Sequence, residues 1–181
     1  HQVAKAMGQD GRISPKFLHP GPGFGGSCFP KDIQAFAALS NNKGLPMKTI
    51  EAAISANDHQ KTRMTEKMKS LMGGDFTGKQ IAVLGLAFKP NTDDVRESSS
   101  ITMIRTIFDH GGHVRAYDPI ANDSMKEIFP ELNCFVSWEL ACKDADGVVI
   151  MTEWNEFRGM SLEVLKSLVS TPVILDTRNI L

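Results

Sequence analysis

The chain has 181 residues, with 20 lysines and arginines against 21 aspartates and glutamates, for a formal net charge of -1. Apolar residues make up 41% and charged residues 23%, an ordinary folded composition that excludes disordered, collagen-like and disulfide-scaffold classes. No cationic excess is available to hold a phosphate backbone, which argues against nucleic acid as a partner, and no apolar run approaches the ~18 residues of a membrane span.

Residues 2–7 read as the tail of a helix. The chain opens there without a methionine, so the expectation is that residues precede it and that it is the C-terminal part of a longer protein. Residues 14–30, SPKFLHPGPGFGGSCFP, hold too much glycine and proline for a helix or a central strand and must form a shaped loop. A helix is expected next. Asp32 lies in its first turn, Ile33, Phe36, Ala37 and Leu39 give it an apolar face, and Gly44 suits the position just past its end. A second helix opens at Leu45-Pro46, with Pro46 in its first turn, and runs to about Met72. It carries Ile50, Ala53, Ile54, Asn57, Met64, Met68 and Leu71 at roughly helical spacing. Gly73-Gly74 stops it, and its methionines read as core packing. A helix of this length can join two domains.

From Gly78 the pattern alternates between strand and helix. Residues 79–84 (KQIAVL) and 113–117 (HVRAY) read as strands. Between them, residues 98–110 form an amphipathic helix with Ser98 as N-cap and Ile101, Ile104, Ile107 and Phe108 inside. Helices at 124–129, 138–142 and 162–168, and strands at 147–151 (GVVIM) and 173–176 (VILD), follow. Four or five strands alternating with helices imply an α/β fold, a Rossmann-like parallel sheet domain preceded by a helical segment with a long connecting helix. The expected division is 1–44, 45–77 and 78–181.

Two segments carry chemistry. After the first strand, GLAFKPNTDDVRESSS keeps only Gly85 of the G-x-G-x-x-G dinucleotide fingerprint, so this domain does not hold NAD in the usual way. Its Lys89, Arg96 and the serines at 98–100 can face a phosphate. The alternative is a solvated loop whose cations pair with Asp93, Asp94 and Glu97. In GPGFGGSCFPKD, Cys28 sits among glycines with Lys31 and Asp32 beside it at a helix start. That setting favours thiolate and lets ligands press close to the sulfur, with Asp32 placed to position a water. The alternative reading makes Cys28 a small buried filler in a tight turn. Cys134 and Cys142 have no such setting. With no C-x-x-C pair, the three cysteines fit a reducing compartment, the cytoplasm. His1, His19, His59, His110 and His113 are scattered, so no metal site emerges, and no G-x-S-x-G elbow is present.

The run FLHPGPGFGGSCFPKD at 17–32 resembles the active-site loop of the nucleotide-sugar 6-dehydrogenases, and GLAFKPNTDDVRESSS at 85–100 resembles that family's second signature. YDP at 117–119 and LDTRN at 175–179 match two further landmarks in order, Thr177 standing where many members have glycine and His19 where some have lysine. The resemblance covers essentially the whole chain but only the C-terminal half of the family's usual length.

It implies NAD-dependent oxidation of a sugar C6 alcohol to a carboxylate. Cys28 would be the nucleophile that forms a thiohemiacetal and then a thioester, with Asp32 helping to activate water. Cys28, Lys31 and Arg96 would lie against the NAD cofactor. Phe17, Leu18, His19, Gly21, Gly23, Phe24 and Gly25 would wrap the sugar and diphosphate, with Phe88, Lys89 and Arg178 contacting the nucleotide sugar. Arg12 would reach a neighbouring subunit's sugar site. The GPGFGG run and Phe29-Pro30 are most similar to the branch acting on UDP-glucose, with GDP-mannose or a UDP-N-acetylhexosamine as the alternative substrate. A reading of another class is a nucleotide-sugar binding module without catalysis. The long helix is expected in the interface of a homodimer or higher homo-oligomer. The family's catalytic lysine and asparagine lie upstream, so this chain alone is expected to be inactive.

Overall fold

Five parallel strands form one sheet in the order β3-β2-β1-β4-β5, with helices on both faces, in a computed structural model that describes residues 2–181. His1, one of the scattered histidines, lies outside the described residues. The strands are β1 (Gln80–Leu84), β2 (His113–Tyr117), β3 (Asn133–Cys134), β4 (Gly147–Ile150) and β5 (Ile174–Asp176). The register pairs Val83 with Ala116 on one side and Val149 on the other, so β1 is central.

Central parallel strands are covered on both faces and read as continuous apolar runs, and here alternate side chains enter two different cores. Ile81, Val83 and Val149 join Met68, Met72, Phe76, Met103, Ile104 and Ile107 under one layer of helices. Ala82, Leu84, Val148 and Ile150 join Trp138, Phe157 and Leu165 under the other. The sequence-based expectation of a Rossmann-like parallel sheet therefore holds.

The preceding segment supplies α1 (Gln2–Met7), α2 (Phe29–Asn42) and α3 (Lys48–Leu71). The 24 residues of α3 span about 36 Å at 1.5 Å per residue. Gly44 ends α2 with φ 71°, and the Leu45 and Gly44 amides donate to the Ser40 and Asn41 carbonyls at 3.0 and 2.9 Å. Gly73 and Gly74 repeat this Schellman arrangement on the Lys69 and Ser70 carbonyls at the end of α3.

Two local expectations are corrected. Helix α3 begins at Lys48 with Met47 as N-cap, so Pro46 precedes the helix instead of lying in its first turn. On α2, Phe36 and Leu39 are 48% and 57% exposed. The helix packs on α3, its buried residues are the small Pro30, Ala37 and Ser40, and Phe36 and Leu39 face outward.

The remaining helices are α4 (Ser99–Asp109), α5 (Asn122–Ile128), α6 (Trp138–Cys142), α7 (Asn155–Arg158) and α8 (Leu162–Leu168). The Ser98 hydroxyl caps α4 as expected, accepting from the Ser100 amide. Neither α7 nor β3 was anticipated; four and two residues are too few to carry a period. Among the described residues no helix is long and apolar enough to cross a membrane, and no cluster of three or more histidine, cysteine or acidic side chains is placed to hold a metal ion.

Candidate functional site

The strand order turns outward in both directions from β1 and β4. In open α/β sheets, ligands bind in the crevice beyond the carboxyl ends of strands at such a point. Three loops leave the sheet there: residues 85–98 after β1, residues 151–154 after β4, and residues 177–181 after β5. Gly85 has φ 90°, and a Cβ on it would lie 2.5 Å from the Thr152 Cβ, so only glycine permits this approach of the first two loops. The Thr152 hydroxyl donates to the Ala87 carbonyl at 2.6 Å, and the Thr177 hydroxyl donates to the Ile150 carbonyl at 2.6 Å.

The buried carboxylate of Asp118, at the end of β2, anchors the same rim. Its Oδ2 accepts from the amides of Leu86 and Ala87 at 2.7 and 3.1 Å and from the Trp154 indole at 3.1 Å, while its Oδ1 accepts from Ile120 and Ala121 at 2.9 Å each.

The glycine-rich loop is laid across this rim and along α3. The Asn57 side chain grips Phe24 from both sides, accepting from its amide at 2.7 Å and donating to its carbonyl at 3.1 Å. Gln60 donates to the Gly21 carbonyl at 2.8 Å, and the Gly26 amide donates to the Arg96 carbonyl at 2.8 Å. A Cβ at Gly25 would strike the Glu97 carbonyl oxygen at 2.3 Å, and one at Gly26 the Phe88 ring at 2.8 Å. These glycines exist for close approach: they press the loop against Phe88 and the strand-exit backbone. Lys61, 9% exposed, ties the assembly by donating to the Glu97 carbonyl at 3.2 Å and pairing with its carboxylate at 3.3 Å. Phe24 stacks edge-on against Phe29 at 4.7 Å, and Phe29 is the first residue of α2.

Cys28 is the N-cap of α2 and is exposed, so the buried-filler reading is set aside. Its Sγ lies 3.7 Å from the Ser27 hydroxyl, and Lys31 pairs with Asp32 at 3.4 Å one helical step away. A cavity of about 460 Å³ is lined by Ser27, the residue before Cys28, and by Lys31, Arg96, Ile101 and Ile128 among others. Arg96 pairs bidentately with Asp94 at 2.8 and 2.9 Å, as the solvated-loop alternative expects. That contact raises the guanidinium's pKa and holds the Asp94 carboxyl below its ordinary value.

A second cavity, of about 230 Å³, is lined by His19, Pro20, Glu153, Arg158, Arg178 and Asn179. Arg178 is largely buried, and that burial lowers its pKa, opposed by Glu153, whose carboxylate lies 3.2 Å away. Its Nε donates to the Met151 carbonyl at 2.8 Å, and its Nη1 faces Gly21. The Glu153 Oε2 has this charge partner but no hydrogen bond, because the Nε–H points at Met151.

The expected site residues thus fall into two groups joined by the loop. Lys31 and Arg96 line the first cavity, with Cys28 and Asp32 adjacent to its lining residues in the chain; His19 and Arg178 line the second, with Gly21 against the Arg178 guanidinium; Gly23, Phe24, Gly25 and Phe88 form the bridge. Lys89 is exposed, with its ammonium 5.2 Å from the Phe88 ring centroid. Leu18 and His19 also line a pocket with α1. Arg12 pairs with Asp10 at 2.7 Å and lines neither cavity, and Phe17 is 98% exposed with φ 63°. Cys142 is buried, with its thiol pushed up to about 12, and burial also raises Cys134.

Sequence reading missed Asn57, Gln60 and Lys61 as parts of the site, although an asparagine among the apolar positions of an amphipathic helix was a visible signal. It also missed Asp118 as an anchor and Glu153 as the partner of Arg178.

The chain matches two family profiles. Residues 1–59 match "UDP-glucose/GDP-mannose dehydrogenase family, central domain", and residues 82–181 match "UDP-glucose/GDP-mannose dehydrogenase family, UDP binding domain". It is similar to a UDP-glucose 6-dehydrogenase of Rhizobium meliloti, 44% identical over 178 residues, which cover 98% of this chain and 41% of that protein. It is 43% identical to UDP-glucose 6-dehydrogenase TuaD of Bacillus subtilis, covering 99% of this chain and 39% of the other. A solved UDP-glucose dehydrogenase from Pyrobaculum islandicum superposes with a TM-score of 0.90 at 32% identity, over 99% of this chain and 40% of that one. The chain therefore spans about two fifths of the length of the relatives it matches.

Proposed function

The chain belongs to the UDP-glucose/GDP-mannose dehydrogenase family, and on that premise we propose that it supplies the nucleophile and the nucleotide-sugar grip for oxidation of UDP-glucose to UDP-glucuronate. In this reading residues 1–44 end the central domain, 45–77 connect, and 78–181 bind the nucleotide. The observation that carries it is the docking of the Cys28 loop onto Phe88 and against Arg178, which brings three signatures far apart in sequence into one crevice.

Gly21 and Arg178 at the second cavity, with His19 beside them, offer a guanidinium and close backbone to a diphosphate. Cys28 Sγ, exposed at a helix N-terminus, adds to the aldehyde carbon at C6 and keeps that carbon tethered while it reaches the thioester level. Asp32 takes a proton from the water that attacks the thioester carbon; the carbon–sulfur bond breaks and the thiolate returns. The cavity beside Cys28 fits the reactive end of a dinucleotide: Ile101 and Ile128 give an apolar wall, and Lys31 and Arg96 give cations at its edge. When bound there, NAD supplies the hydride acceptor for both oxidations. The same reading includes a homo-oligomer in the cytoplasm, in which the exposed Arg12 reaches a neighbouring copy.

The test is a calorimetric titration of this chain with UDP-glucose, GDP-mannose and NAD in parallel, together with Cys28→Ala in the enzyme that carries this segment. UDP-glucose should bind in preference to GDP-mannose, and the variant should lose turnover while keeping nucleotide-sugar affinity. Equal or tighter binding of GDP-mannose would overturn the substrate assignment, and a fully active variant would overturn the nucleophile.

A further inference from the structure

We propose that Asn57 and Gln60 are the positioning pair that fixes the glycine-rich loop on α3 and, through it, the place of Cys28; this rests on Cys28 being the reacting thiol. The two residues are one helical step apart and face the loop together. Asn57 is 9% exposed and satisfies both backbone groups of Phe24, so it reads that residue's backbone as a neighbouring strand would. Gln60 holds the Gly21 carbonyl in the same register.

Gly23, between these two contacts, has φ 115°, and a Cβ there would lie 2.9 Å from the Asn57 Oδ1. The loop therefore follows a path that only glycine can take and only an amide can clamp: a carboxylate in place of Asn57 would set oxygen against the Phe24 carbonyl, and an alkyl group would leave both Phe24 groups without partners. The link onward is short. The Phe24 ring packs on Phe29 at 4.7 Å, and Phe29 is covalently next to Cys28. Asn57 touches neither cavity lining, so it acts through the loop and not on a ligand.

The experiment uses this chain with Asn57→Ala, Asn57→Asp and Gln60→Ala. Three quantities are read: the exchange rate of the Phe24 amide by NMR, the alkylation rate of Cys28 by iodoacetamide, and exchange at the amides of β1 and β4. Loss of hydrogen bonds of this kind should speed Phe24 exchange by roughly tenfold or more in Asn57→Ala. Cys28 alkylation should change about threefold or more alongside it, while the strand amides keep their wild-type rates.

Asn57→Asp gives a signature that a merely structural role would not. At neutral pH the carboxylate still accepts from the Phe24 amide but repels the Phe24 carbonyl, so protection should fall between wild type and Asn57→Ala; on acidification the protonated carboxyl regains a donor for that carbonyl, and protection rises toward the wild-type value. The charged groups facing this position are Lys61 on α3 and Glu97 across from it, and taking each rate as a ratio to the wild type at the same pH removes their titration.

Wild-type Phe24 protection in all three variants would overturn the proposal. So would fast Phe24 exchange with Cys28 alkylation unchanged, or strand amides loosening as much as Phe24. A wild-type chain that binds no nucleotide sugar would count against the proposed activity alone, since the exchange and alkylation readouts do not depend on it.

Discussion

Asp118→Asn should be among the most damaging near-isosteric changes in this chain. The carboxylate accepts five hydrogen bonds, three at Oδ2 and two at Oδ1, and the side chain is essentially inaccessible to water. An amide can keep only one acceptor oxygen. With that oxygen turned toward Leu86, Ala87 and Trp154, the amide nitrogen confronts the amides of Ile120 and Ala121, donor against donor. Each backbone donor left without a partner costs about 1–3 kcal/mol, and the three bonds that survive lose their charge assistance. The sum is about 3–5 kcal/mol. For a chain of this size that corresponds to a fall in melting temperature of roughly 8–15 °C. The assay is differential scanning calorimetry of wild type and variant at neutral pH, with exchange at the Leu86 and Ala87 amides as the local readout. A fall below about 3 °C, with those amides still protected, would refute the idea that this one carboxylate holds the rim together.

Iodoacetamide applied to the folded chain should label Cys28 first and leave Cys142 untouched until the chain unfolds, because Cys142 is buried with its thiol pushed up to about 12; peptide mass spectrometry reads the order, and equal rates would contradict the fold. The Asp94 carboxyl is held below its ordinary value, chiefly by its hydrogen bond from Arg96, so its contribution to stability is present above the unfolded value of about 4 and is lost as pH falls through the folded one. Asp94→Asn should therefore lower the melting temperature at neutral pH, with the gap to wild type closing in acid; a gap that widens on acidification would reverse the sign of this argument.

Much of the sheet was legible because its strands are short apolar runs bounded by glycine and aspartate. Residues 113–117 and 138–142 were placed with their observed bounds, and Ser98 was read as the cap it is. The outward turn of Phe36 and Leu39 was not legible, since periodicity gives a helix a face but does not say how much of that face finds a neighbour. Motif spacing was enough to single out the Cys28 loop and the Lys89–Arg96 segment, whereas Arg178 was singled out only by the family resemblance of LDTRN. What holds them together was hidden for two reasons. Asn57 and Gln60 act on backbone atoms, which leave no mark at the receiving positions beyond glycine. Asp118 and Glu153 sit in loops whose partners are fixed only when the strand order is known.

The parallel sheet also dictates when the crevice can exist during folding. β1 is flanked by β2 and β4, and β4 follows only after two further helices and β3 have been made. Closing such distant pairs costs chain entropy before any contact returns it, which makes the central pairing intrinsically slow. Arg178 comes three residues from the end of the described chain and takes its position only once β5 has joined β4. The loop carrying Cys28, which precedes β1, is thus set against a group on the far side of the sheet's sequence. The contact of Gly21 with Arg178 forms only once β5 has joined the sheet, whereas the docking of Gly25 and Gly26 on the exit of β1 needs no part of β5.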